Sequence, residues 1–146
     1  MRDAVEHEST VHLTGPAAGD MTMLMRYETD DPYAVRLAFL DSGTADEGGS
    51  RDGSVTWVMG RELLTVGLTR RCGTGDVTVR PLTPALTELS FAGTHGVAVV
   101  HASTRALRAF LRATYVRVAA GSEAAWITVP DDISTLFVEP SAENPT

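Results

Sequence analysis

Four histidines (His7, His12, His95 and His101) and one cysteine, Cys72, are the side chains here whose chemistry could extend beyond charge pairing. A zinc site wants two histidines at i, i+4 on a helix or a pair of thiolates, and an acid-base centre wants a histidine beside an orienting carboxylate. No histidine pair has that spacing, His7 lies in a polar N-terminal stretch, and His95 sits in a Gly-Thr-His-Gly turn. These four read as surface or strand histidines, and no metal or cofactor is expected. Cys72 follows Arg70 and Arg71, which could depress a thiol pKa, but it carries no nucleophile signature and reads as a half-buried strand thiol.

The run Gly73-Thr74-Gly75-Asp76 invites comparison with phosphate cradles. A P-loop needs wider glycine spacing ending in Gly-Lys-Ser/Thr, and a dinucleotide loop needs three glycines opening a helix. Strand composition follows instead, so the glycines are predicted to supply positive φ in a hairpin turn whose Asp76 bonds the backbone. Asp30-Asp31 and Asp131-Asp132 are neighbouring carboxylates that point apart, and are expected to serve a turn and a helix start rather than catalysis. Arg105, Arg108 and Arg112 share one side of a predicted helix, where three guanidinium groups can meet a partner's carboxylates or phosphates; the alternative is a plain solvated face. Trp57 alternates within a strand and reads as core, while Trp126 reads as an interface anchor or core.

The elements that must position these residues follow from periodicity. Val11 and Leu13, then Met21, Met23 and Met25 beyond the Gly15-Pro16 break, have the period of two that marks strands. Asp30-Asp31-Pro32 is turn chemistry, and Tyr33, Val35, Leu37 and Phe39 alternate after it. Residues 41–54 are Gly, Ser, Asp and Glu with almost no apolar anchor and read as a mobile loop. Val55 to Met59 returns to strand composition, and residues 60–67 read as a short helix closed by glycine. A second cycle follows: strands at 68–71, 77–80, 88–91 and 97–101, then a long helix over 104–116 with Ser103 as N-cap and Leu107, Phe110, Leu111 and Tyr115 on one stripe. Acidic Asp131 and Asp132 after Pro130 predict a short final helix ending near Leu136 or Val138. The reading is one α+β domain over 1–140 built from two ββββα units, with disordered tails at 1–9 and 140–146.

Composition agrees with a single domain. At 146 residues with 43% hydrophobic the chain can bury one core. A net charge of −7 disfavours a phosphate backbone as ligand unless the basic residues gather on one face. One cysteine forms no internal disulfide and suits a reducing cytoplasm. No apolar leader and no run near the ~20 residues of a membrane span is present, so neither secretion nor insertion is expected.

Several phrases resemble one family. Arg26-Tyr27-Glu28-Thr29-Asp30-Asp31-Pro32-Tyr33-Ala34-Val35 is similar to its R-Y-(D/E)-x-x-D-P-Y-A-V signature. Val55-Thr56-Trp57-Val58-Met59-Gly60-Arg61-Glu62-Leu63-Leu64 with Gly67-Leu68 resembles its V-x-W-x-(F/M)-x-R-(D/E)-L-L-x-x-G-L block. Gly73-Thr74-Gly75-Asp76-Val77 with Pro81 resembles T-G-x-G-D-V-x-x-x-P, and Ala106-Leu107-x-x-Phe110-Leu111 completes the series in order. These are features of the SsgA-like proteins of sporulating actinobacteria.

The resemblance implies a non-enzymatic cytoplasmic regulator of cell division and sporulation. Such a protein would act at septa through contacts with the tubulin-like ring protein FtsZ or another SsgA-like protein. It also implies a whirly-type, barrel-like architecture of two packed antiparallel sheets assembled as a homotrimer. Tyr27, Asp31, Pro32, Tyr33, Trp57, Leu63, Leu64, Gly67, Gly73, Gly75 and Asp76 are the signature positions it assigns to structure. The loop at 45–53 is longer than in familiar members and the turn at 93–96 lacks their S-P-E-G type, which leaves the paralogue open. The alternative function is single-stranded nucleic-acid binding, used by whirly folds elsewhere through basic and aromatic sheet surfaces; 6% aromatic residues and the negative charge argue against it.

Overall fold

The structure, a computed structural model, describes residues 3–41, 55–94 and 96–127. Its first strand, β1 (Ala4–Leu13), turns at Gly15, whose φ of 95° only glycine adopts freely, into β2 (Gly19–Glu28). The two are paired along their full length, from Ala4 opposite Glu28 to Leu13 opposite Gly19. The expected disorder is thus corrected for residues 4–9, which lie in β1: Val5 is buried, while Glu6 and Glu8 face outward and Glu6 pairs with Arg26 at 2.9 Å. Polarity reflected which face those residues occupy, rather than a missing strand.

A turn in which Asp31 N–H donates to the Glu28 carbonyl leads to β3 (Ala34–Asp41), and β4 (Val55–Gly60) lies beside it. Helix α1 (Arg61–Gly67) follows at once. Residues 68–71, predicted as a strand, instead continue α1 through a turn, with Thr69 and Arg70 N–H both reaching the Val66 carbonyl. The following residue, Cys72, forms an isolated bridge to Val79. The second cycle therefore has three strands: β5 (Val77–Pro81), β6 (Leu86–Gly93) and β7 (Gly96–Ser103), then α2 (Thr104–Arg117) and a 3-10 helix, Glu123–Trp126. Ser103 is the predicted cap, its side chain accepting from Ala106 N–H at 3.1 Å. The predicted final helix after Pro130, the loop 42–54, His95 and the tail 140–146 lie outside the described residues.

The strands form one antiparallel sheet in the order β4-β3-β2-β1-β7-β6-β5, not two separate sheets. Its two halves meet at β1 and β7 through two residue pairs, His12 with His101 and Leu13 with Val100. Because strands twist, the halves curl toward each other into a nearly closed barrel. Phe91 of β6 meets Phe39 of β3 and Trp57 of β4 at ring distances of 5.3 and 5.0 Å. The core fills from both halves: Met23, Met25, Val35 and Leu37 from one, Val79, Leu89 and Phe91 from the other, with Leu107, Phe110 and Leu111 of α2. Among the described residues no helix is long and apolar enough to cross a membrane.

Candidate functional site

Two glycines illustrate why the signature residues sit where they do. A Cβ on Gly67 would stand 2.3 Å from Val79 Cγ1, so the absent side chain is what lets α1 lie against β5. Gly67 does not end the helix by positive φ, as expected; Leu68 takes that position in ordinary helical geometry. Gly73 does need its conformation, with φ of 114° and the Val77 carbonyl 2.3 Å from a built Cβ. Gly75 has open space and no positive φ, and Asp76 does not bond the turn through its side chain as expected; its main-chain carbonyl instead accepts Ala92 N–H at 2.8 Å, extending the pairing of β5 with β6.

Arg61 organises the most unusual chemistry in the molecule. It stands on the same helical stripe as Leu64 and Leu68 and is 1% exposed. A buried guanidinium needs acceptors, and it has them: Nη1 donates to the Val118 carbonyl at 2.8 Å and the Thr114 carbonyl at 3.3 Å, while Nη2 donates to Glu123 Oε2 at 2.7 Å. The two carbonyls lie at the end of α2, where the helix dipole favours positive charge; that of Thr114 also accepts Val118 N–H at 2.9 Å. The guanidinium carbon lies 4.0 Å from the centre of the Tyr115 ring and 4.9 Å from that of Tyr27. Its Nε has no acceptor.

The surrounding residues are mutually tied. Tyr27 is fully buried and donates to the Pro32 carbonyl at 3.0 Å, and burial pushes its phenol above the usual value. The Tyr115 and Thr65 hydroxyls share a 2.7 Å hydrogen bond. The hydrogen bond from Arg61 holds the Glu123 carboxyl below its ordinary range. Tyr33 is 53% exposed; its carbonyl accepts Arg61 N–H at 2.7 Å. Asp31 pairs with Arg36 at 3.0 Å, Leu64 is buried, and Trp57 and Leu63 are half-buried against the core. Of the signature positions, Tyr27 through its ring and Tyr33 through its carbonyl touch Arg61.

Two depressions adjoin here. A cavity of about 830 Å³ is walled by Tyr33, Arg61, Thr65, Tyr115 and Glu123. Across the Thr65–Tyr115 bond lies a groove of about 360 Å³ between α1 and α2, floored by Leu68, Leu111 and Tyr115 and flanked by Arg108 and Arg112. Arg105, Arg108 and Arg112 are all exposed, and Arg105 is not part of the groove. Arg26, Arg36, Arg61, Arg80 and Arg117 each pair with a carboxylate, whereas Arg105, Arg108 and Arg112 pair with none among the described residues.

The histidines stand elsewhere. His7 packs its ring against Phe110 at 5.6 Å, His12 lies 3.2 Å from Asp20, and His101 lies 4.0 Å from Glu88. Among the described residues no three histidine, cysteine or acidic side chains gather where a metal could sit. Cys72 is half-buried at its bridge to Val79. Arg61, Tyr115 and Glu123 went unnoticed as a cluster in the sequence; the available signal was an arginine on an apolar helical stripe.

Residues 21–123 match the family described as Streptomyces sporulation and cell division protein, SsgA. The chain belongs to the SsgA family. This family member is 40% identical over 115 residues to the sporulation-specific cell division protein SsgB of Saccharopolyspora erythraea, covering 77% of this chain and 76% of that one. It is 35% identical over 118 residues to SsgB of Streptomyces coelicolor, covering 79% and 80%. A crystal structure of an SsgA-like sporulation-specific cell division protein from Thermobifida fusca superposes with a TM-score of 0.73 at 32% identity, over 94% of this chain and 96% of that one. A structure reported with SsgB mutations that correlate with longitudinal cell division during sporulation of S. coelicolor gives a TM-score of 0.74 at 31% identity, over 87% and 98%. The SsgA-family resemblance expected from the motifs is therefore a finding, and it places the chain among proteins of sporulation-specific cell division.

Proposed function

We propose that the chain is a non-enzymatic regulator or scaffold of sporulation-specific cell division that acts by binding other proteins in septum-site selection. Its partners are further copies of itself in a trimer, and a division protein such as FtsZ or another SsgA-like protein. It works in the cytoplasm at division septa. The observation that carries the reading is the exposed, unpaired row Arg105, Arg108 and Arg112 on an SsgA-family chain whose net charge is −7. In such a chain an unneutralised basic face is a specific feature, suited to steering a partner's carboxylates into contact.

A single-strand nucleic-acid reading needs aromatic side chains spread over a sheet face. The exposed aromatic residues among those described are Tyr33 and Trp126, and neither stands on a strand. The test is the triple variant Arg105→Glu, Arg108→Glu, Arg112→Glu, checked for an unchanged circular dichroism spectrum. Its capture of FtsZ or of an SsgA-like protein is expected to fall at least tenfold. Capture equal to wild type removes this face from the reading, and salt-sensitive retention of a labelled oligonucleotide by the wild type favours the nucleic-acid alternative.

A further inference from the structure

We infer that the outer edge of β4 is a docking site for an extended, basic segment of a partner protein, which adds to the sheet as an eighth strand. The sheet ends at β4 on one side and β5 on the other, and the chain treats these ends differently. At β5 the preceding residues fold back over the edge: Cys72 N–H donates to the Val79 carbonyl at 2.8 Å, and Val79 N–H to the Cys72 carbonyl at 2.9 Å. Arg80 and Pro81 stand on the same strand. Cover, charge and proline are the usual means of blunting an edge. β4 has neither charge nor proline in its sequence, Val-Thr-Trp-Val-Met-Gly, and its Val55 and Val58 are 52% and 54% exposed.

The register identifies the groups that would meet the segment. Arg61 N–H donates to the Tyr33 carbonyl at 2.7 Å, and bonded pairs recur at every second residue of an antiparallel ladder. Met59, Trp57 and Val55 therefore bond to Val35, Leu37 and Phe39 of β3, while the N–H and C=O groups of Thr56 and Val58 point away from it. Those groups have no main-chain partner among the described residues. Free donors and acceptors alternating at strand spacing are the complement of another extended main chain, here of about five residues. Beside them lies a groove of about 340 Å³, lined by Trp57, Val58 and Leu63 on one side and by the turn at 73–77 on the other. A Cβ on Gly75 in that turn would meet nothing within 4 Å, so this wall leaves room for a second backbone. Asp76 is exposed there, pairs with no cation among the described residues, and belongs to a chain of net charge −7, which together favour a basic side chain on the segment. The surface lies apart from the arginine row of α2 and does not depend on it.

Random peptides displayed on phage and selected on the full-length protein supply the probe; enriched sequences are then synthesised and their binding measured by fluorescence anisotropy. They are expected to alternate apolar or β-branched residues with Arg or Lys. Bound peptide should slow exchange of the Thr56 and Val58 amides, read by NMR, at least tenfold. Val58→Pro removes an outward N–H and no donor of the β3 ladder, so thermal unfolding should stay near wild type while peptide affinity falls at least tenfold. Val58→Lys carries the same test if proline disturbs the fold. N-methylating one alternate set of peptide residues should abolish binding, and methylating the other set should leave it. The Arg105→Glu, Arg108→Glu, Arg112→Glu variant should bind the peptides as wild type does, which separates this edge from the arginine row. The inference is overturned if no peptide is enriched, if binding survives the Val58 substitution or both methylations, or if the arginine variant loses it. It is equally overturned if the two amides are already slow without peptide: slowing that fades on dilution puts a second copy on the edge, and slowing that persists puts the chain's own residues there.

Discussion

Replacing Arg61 by alanine strips the centre of the molecule of one cation and several interactions together. The Val118 carbonyl loses its donor, the Thr114 carbonyl keeps only that of Val118 N–H, Glu123 loses its counter-charge, and a gap opens between the Tyr27 and Tyr115 rings. Breaking a buried pair by removing one partner costs about 3 to 5 kcal/mol. Glu123 is 16% exposed and can turn toward water, which favours the lower half of that range. Because a domain this size holds roughly 5 to 15 kcal/mol in total, the loss should lower the midpoint of thermal unfolding by roughly 10 °C. Urea unfolding followed by tryptophan emission gives the free energy, with Trp57 in the barrel and Trp126 in the 3-10 helix reporting together. Glu123→Gln keeps an acceptor for Arg61 Nη2 and leaves the two α2 carbonyls bonded to Nη1, so it weakens one charge-assisted bond and should cost clearly less than Arg61→Ala. Arg61→Lys should fall between the two, since a single ammonium cannot reproduce the planar fork. The reasoning is refuted if Arg61→Ala costs less than 1 kcal/mol, or if Glu123→Gln proves as costly.

Further outcomes follow from separate features. Gly67→Ala forces a methyl into Val79 and should destabilise by about 1 to 3 kcal/mol, whereas Gly75→Ala, facing open space, should stay within about 0.5 kcal/mol; urea midpoints distinguish them. Ser103→Ala removes the cap of α2 and should cost about 1 kcal/mol in the same assay. The Glu123 carboxyl is held below its ordinary value of 4.5, so its contribution is complete above that pH and is lost as acid titrates it through the lower folded value. The stability difference between wild type and Glu123→Gln should therefore be constant above pH 4.5 and shrink below it, and a difference that grows in acid contradicts the assignment.

Much of this was legible from periodicity. Met23 and Met25, Val35 and Leu37 alternate inward as their spacing requires, and Ser103 with Leu107, Phe110 and Leu111 marks a helix start and its buried stripe. The signature phrases from Arg26 to Val35 and from Val55 to Leu68 carry the family in the sequence itself. β1 was hidden because Glu6, Glu8 and Thr10 face outward and give its first half a disordered composition. Residues 68–71 looked like a strand because Leu68 is apolar, but a buried residue in a turn and one in a strand have the same local sequence. The seam at His12 and His101 and the Arg61 cluster are long-range; local propensity carries no signal for partners fifty residues away. The arginine row was legible as a face, whereas the groove beside it required α1 to be placed against α2.

The Arg61 bond to Glu123 spans 62 positions, and that to Val118 spans 57. On the ribosome the cation of α1 is therefore made well before these two acceptors, and a chain that stops short of residue 118 lacks both the Val118 carbonyl and the Glu123 carboxylate that this buried guanidinium needs.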